Sequence, residues 1–331
     1  MSPSRRFRPA LVWNAALATS LLAATAAGDS LSVSARPQGV ERPVDDAENA
    51  MPDVRADGPA ASRDTESRRD PAGTSPNSLA PGASPNAALA EAVAPLEADG
   101  ATRLSVSVLC LNSGASAGYG EARFDTASIV KVDILAALLL LAQDEGRQLT
   151  ALERARAQVM IEQSDNAAAD ALWVTIGGAA GLDAANARLG LTATTAGGGG
   201  HWGLTQTTSA DQIALLRAIY GTGSPLSAAS RAYIQELMAG VVPGQRWGIS
   251  AAADEGFELK NGWLPRSHTG LWDVNSIGRI TSGGEEYLVA VVSDGHVTHA
   301  AGITAVETAA MAAVEALAAV STAEDAPPPG V

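Results

Sequence analysis

From residue 103 to 111 polar and apolar side chains alternate (RLSVSVLCL), the period of two that a half-buried strand requires. Asn112-Ser113-Gly114 supplies a turn, and residues 117–119 begin a returning strand. Upstream, Ser84-Pro85 pairs an N-cap residue with proline at the first helical position, and Leu89 and Val93 recur at helical spacing. Pro95 ends or kinks that helix. Residues 129–142 are strongly apolar and predict a buried helix stopped by Gly146. Helical periods follow at 150–162, 166–176, 181–189, 209–220 and 227–239, with Ser209 and Gln212 spaced as a capping box. The period then returns to two. Residues 257–264, 271–281 and 286–293 read as strands, Gly283-Gly284 turns the last two, and an alanine-rich amphipathic helix follows at 300–320. One helix and two strands thus precede a block of helices, and three strands and a helix come after it. That order predicts an α+β fold: an antiparallel sheet assembled from both chain ends, flanked by terminal helices, with an all-α lobe inserted between them.

Outside this pattern the chain changes character. Arg5, Arg6 and Arg8 precede a nearly continuous small or apolar run over residues 10–27, the layout of an export signal over residues 1–28, with cleavage expected near Ala26. The run is also close to the length that spans a bilayer, so an uncleaved anchor is the competing reading. Eight prolines and mixed charges fill residues 36–85, too polar to offset the entropy of ordering, so residues 29–83 are expected to be a disordered linker. Pro327-Pro328-Pro329 marks a flexible tail over 321–331. The expected folded domain is therefore 84–320, and the expected location is secreted, or membrane-anchored if the signal stays. A net charge of −14 with no basic stripe argues against nucleic acid. Cys110 is the sole cysteine, which excludes an intrachain disulfide.

The basic residues hold the first chemical signal. Twenty are arginines and only two are lysines, Lys131 and Lys260. Arginine cannot be deprotonated inside a protein, so a lysine kept in such a chain marks a place that needs a shiftable amine or a compact ammonium. Lys131 lies three residues after Ser128, which puts both side chains on one helix face. Apolar neighbours Val130, Val132 and Ile134 would desolvate the amine and let it accept the serine proton. An ordinary N-cap serine followed by a surface lysine would also fit. Ser164-Asp165-Asn166 taken by itself reads as a helix cap. Lys260-Asn261-Gly262 competes with a type I′ hairpin turn, although Pro265 favours a strand that continues to a turn at 265–270.

Taken in order, S-x-x-K, S-D-N and K-x-G resemble the signature of class A β-lactamases and their penicillin-binding relatives, over roughly residues 85–320. The resemblance implies the β-lactamase/DD-peptidase fold and an acyl-enzyme on Ser128. It implies Lys131 as base, Ser164 as proton shuttle to the leaving nitrogen, and Lys260 beside both Ser164 and the substrate carboxylate. By the same resemblance Asn166 binds the substrate amide, Gly262 lets the backbone approach, and the Trp263 and Ser128 N–H groups form an oxyanion hole. Asn261 stands where the family usually has Thr or Ser, a departure that touches carboxylate recognition. A second departure is larger: residues 186–210, where the family carries its water-activating glutamate, contain no acid. The reading is therefore a serine hydrolase acting on a cyclic amide, peptide or ester, β-lactam or cell-wall-like, and deacylating slowly. The alternative is a tethered, essentially non-catalytic penicillin-recognising domain. His201 is weighed as a substitute base and read as a loop residue. Arg279 is held loosely as a carboxylate partner, and Trp202, Trp247, Trp263 and Trp272 as cleft or core. His296 and His299 lack a third ligand nearby in sequence, so no metal or cofactor is expected. A monomer working near a cell wall completes the expectation.

Overall fold

The alternating segments pair into one antiparallel sheet. β1 (Arg103–Cys110) lies between β2 (Ser116–Tyr119) and β7 (Glu285–Asp294), followed by β6 (Trp272–Ser282) and β5 (Phe257–Pro265), in the order β2-β1-β7-β6-β5. The structure, a computed structural model, describes residues 84–324. The expected export signal and linker lie outside the described residues, as does the tail beyond Glu324.

Burial on β7 shows how period two makes two cores. Tyr287, Val289 and Val291 face one apolar cluster with Leu89 and Val93 of α1 (Pro85–Val93) and with Val306, Ala310, Ala313 and Leu317 of α8 (His299–Glu324). Leu288, Ala290 and Val292 face the other cluster, shared with the helical lobe. At the centre of that lobe is α2 (Val130–Asp144), preceded by a 3-10 turn over Ala127–Ile129. Twelve of its fifteen residues are buried, Lys131 and Asp133 among them. Around it pack α3 (Ala151–Glu162), α4 (Asn166–Thr175), α5 (Gly178–Leu189), α6 (Ser209–Tyr220) and α7 (Ala228–Ala239). The predicted elements all form, with ends shifted by up to a few residues. A two-residue pair, β3 (Phe124–Asp125) with β4 (Gln206–Thr207), is additional, and is too short to leave a periodic trace in sequence.

One local reading is corrected and one choice between alternatives is decided. The cap of α6 is Thr208, whose hydroxyl accepts from Asp211 N at 3.1 Å. Ser209 instead lies inside the helix, its Oγ 2.7 Å from Ser105 Oγ and 2.8 Å from Ser107 Oγ, tying α6 to β1. Gln212 donates to Thr207 Oγ1 at 3.0 Å. A complete capping box occurs at α3, between Thr150 and Glu153. The strand reading prevails over the hairpin alternative: Asn261 and Gly262 lie mid-strand, opposite Ser276 and Asn275. The turn follows at Arg266, whose N–H donates to Leu271 O at 2.8 Å and whose carbonyl accepts from Gly270 N at 2.7 Å.

Candidate active site

Four stretches of the chain bring the predicted residues together. The 3-10 turn before α2 carries Ser128, α2 carries Lys131, the loop from α3 into α4 carries Ser164 to Asn166, and the edge strand β5 carries Lys260 to Trp263. Neither cap reading displaces the chemistry. Ser128 is the middle residue of its turn, and α2 has no side-chain cap. Asp165 does cap α4, accepting from Ala168 N at 2.6 Å, and this cap turns Ser164 and Asn166 toward Lys131.

The Lys131 amine lies 3.0 Å from Ser128 Oγ, 3.1 Å from Ser164 Oγ, 2.7 Å from Ser164 O and 2.8 Å from Asn166 Oδ1. Lys260 Nζ approaches the same Ser164 Oγ from the other side at 3.0 Å and also donates to its neighbour's carbonyl, Asn261 O, at 2.9 Å. A path of hydrogen-bonded atoms therefore runs from Ser128 Oγ through Lys131 and Ser164 to Lys260. Ser128 and both lysines are fully buried. Burial, and secondarily the charge of Lys260, hold the Lys131 amine well below the usual lysine range, against the opposing pull of Asp165 and Asp170. Burial brings Lys260 down to about 7. A neutral amine in contact with a serine hydroxyl is what a base for that hydroxyl must be.

The backbone is strained where the two serines sit. Among the described residues only Ala127 (φ 46°) and Ser164 (φ 60°) are non-glycine residues with positive φ. Such conformations cost about 1–3 kcal/mol each and persist only where the surroundings enforce them. Gly262 is enforced differently: a Cβ there would lie 2.7 Å from Ser128 N and 2.8 Å from both Ile129 N and Thr126 O. Only glycine lets the edge strand come this close to the turn that carries Ser128.

Other side chains depart from expectation. Asn261 does not present its amide to the cleft; Nδ2 donates to Gln245 O and Trp247 O, each at 2.9 Å, fixing the loop that precedes β5. Arg279 is not a spare carboxylate partner, because Glu258 and Glu286 both pair with it. Trp247, Trp263 and Trp272 gather around His299, with ring centroids 5.3–5.7 Å from the imidazole, packed on the α8 side of the sheet. His296 is buried and bonded to Ser293 Oγ at 2.8 Å. His201 makes no hydrogen bond to Lys131 or Ser164, the amine's oxygen partners being those named above.

One contributor was not foreseen, and one tryptophan held as cleft or core takes a particular place. Asn275 donates to Asp125 O at 2.9 Å and Thr126 O at 3.0 Å while accepting from Ser293 N at 2.9 Å. It thereby pins to the sheet the backbone leading into Ser128. Trp202 is 2% exposed and lays its indole face over Lys131, with Nζ 4.8 Å from the ring centroid. A lone asparagine in a strand leaves no sequence signal for its role, and the sequence named Trp202 only as cleft or core.

A family model described as the β-lactamase enzyme family matches residues 143–317, over half the chain. The match includes Ser164–Asn166 and Lys260–Gly262 and begins after Lys131. Among solved structures, a class A β-lactamase from Bacteroides cellulosilyticus aligns at TM-score 0.62 and 17% identity, covering 72% of this chain and 99% of that one. A PBP-A variant solved as an acyl-enzyme with penicillin G aligns at 0.60 and 21%, covering 73% and 100%. An ancestral class A β-lactamase aligns at 0.57 and 25%, covering 69% and 99%. No curated protein matches the chain.

Proposed function

The chain belongs to the β-lactamase enzyme family, and from that premise we propose that it is an exported serine hydrolase that acylates Ser128 readily and releases the acyl group slowly. The observation that carries the reading is the path Ser128–Lys131–Ser164–Lys260, held at 3.0, 3.1 and 3.0 Å. Neutral Lys131 takes the Ser128 proton as Oγ attacks the substrate carbonyl. The carbonyl oxygen, gaining charge, is met by the N–H groups of Ser128 and Trp263. When the C–N bond of a cyclic amide or peptide breaks, Ser164 gives its proton to the nitrogen and regains one from the Lys131 ammonium. Lys260 supplies positive charge beside Ser164 and toward the substrate carboxylate, and Asn166 holds the substrate amide.

Acylation needs nothing further. Hydrolysis of the resulting ester needs a base for water, and residues 186–210 provide no carboxylate. Slow release follows. A purely binding domain would have no use for two desolvated lysines sharing one serine, each costly to bury.

Intact mass of the purified protein mixed with a reporter cephalosporin, with absorbance followed in parallel, tests the reading. A persistent adduct that is missing in Ser128→Ala is expected. Fast colour change with unmodified protein would contradict slow release, and neither colour nor adduct would remove β-lactams as substrates.

A further inference from the structure

Trp202 comes from a loop built to hold it inward. Thr195 and Gln206 close the loop with paired backbone hydrogen bonds of 2.9 Å. Gly197 N donates to Thr205 Oγ1 at 3.1 Å, and Ala196 N to Asp183 Oδ1 at 2.8 Å. A Cβ on Gly197 would lie 2.0 Å from His201 O, so the chain folds back on itself just before the tryptophan. The indole Nε1 donates to Asp170 Oδ1 at 2.7 Å. Asp170 follows Asn166 by one helical turn, on the same face of α4.

The distances decide what this arrangement excludes. A water bonded to the Lys131 amine sits about 2.8 Å from it, and contact with a ring adds roughly 3.5 Å. The ring would then lie about 6 Å from Nζ, whereas it lies at 4.8 Å. The amine's other directions are taken by oxygens of Ser128, Ser164 and Asn166. We infer that Trp202 sets the lifetime of the acyl-enzyme, its indole filling the one side of Lys131 from which a water could be activated. This rests on the acylating function proposed above.

The step it blocks is simple. Water would lose a proton to neutral Lys131 as its oxygen adds to the ester carbonyl. The C–Oγ bond would then break, with the proton passing from Lys131 to Ser128 Oγ, leaving a free serine and a carboxylic acid. Trp202 is a positioning residue here, touching the base and not the reacting carbon.

The test follows the penicillin G adduct of the full-length protein by intact mass after free drug is removed. Trp202→Ala is expected to shorten the adduct half-life at least tenfold, while Trp202→Phe, which keeps a ring in place, stays within about threefold of wild type. Asp170→Ala, which loosens the indole, should shorten it by an intermediate factor and stands in if Trp202→Ala does not fold. Because Trp202→Phe keeps a ring over the amine, comparing it with Trp202→Ala separates loss of the shield from general loosening of the fold. A wild-type adduct with no acceleration in Trp202→Ala or Asp170→Ala overturns the inference alone. A wild-type adduct that clears within seconds overturns it too, since water would already reach the ester. Absence of any wild-type adduct removes β-lactams as acylating substrates and overturns this inference with them.

Discussion

Ser164 Oγ is shared by two amines, and their difference in protonation gives the site its direction. Lys131 must be neutral to accept a proton, whereas Lys260, at about 7, is partly protonated near neutrality. Acylation should therefore rise with pH as Lys131 loses its proton and fall again as Lys260 loses its own, giving an alkaline limb near pH 7. In Lys260→Arg the guanidinium keeps its charge, and the alkaline limb should vanish even though the rate drops. Stopped-flow acylation rates across pH 5–10 check this; an unchanged limb would assign it to another group. At this scale much was legible. Using lysine only twice in a chain rich in arginine pointed to both amines, and the spacings pointed to the serines. What the sequence did not reveal is where a side chain turns. Asn261 occupies a motif position yet spends its amide on the Gln245 and Trp247 carbonyls, and nothing in one strand's sequence says which loop packs behind it.

Elements meet at two seams that hold Ser128. At the first, β5 reaches the Ser128 turn only because Gly262 has no side chain. Gly262→Ala should push the strand back and lower the acylation rate by roughly two orders of magnitude, about 3 kcal/mol in the transition state, read by mass-spectrometric adduct formation. A rate within a few-fold of wild type would mean the seam relaxes without harm. At the second seam Asn275 ties the carbonyls of Asp125 and Thr126 to the sheet. Asn275→Ala leaves one buried and one part-buried carbonyl without that donor, and should cost about 2 kcal/mol of stability in urea unfolding. Periodicity predicted every long element because burial on one face repeats along the chain. It missed the β3–β4 pair, which is two residues long, and placed the α6 cap one residue late. Thr208, Ser209 and Asp211 can all form a cap locally, and the packing of Ser209 against β1 decides among them.

At the scale of the whole molecule, several ionisable groups are buried out of their usual range, and stability should respond to pH accordingly. Burial pushes Asp133 up to about 8. Between its unfolded value of 3.8 and about 8 the folded state holds a proton that the unfolded state has lost, so this group's contribution falls as pH rises and then levels off. Lys260 acts in the opposite sense: from about 7 to 10.5 the unfolded state binds the extra proton, so its contribution rises with pH. Asp133→Asn removes the first slope. The melting temperature of the variant relative to wild type should climb from pH 4 to 8 and be flat above; a constant difference would show that Asp133 keeps its charge in the fold. The left-handed backbone at Ala127 and Ser164 bears on how such a protein would respond to selection for endurance. Glycine relieves that conformation, so a screen rewarding heat resistance alone would drift toward glycine at both positions. At residue 127 the drift would loosen the turn that aims Ser128. At residue 164 it would delete the hydroxyl between the two amines, leaving a hardier protein with its proton path cut.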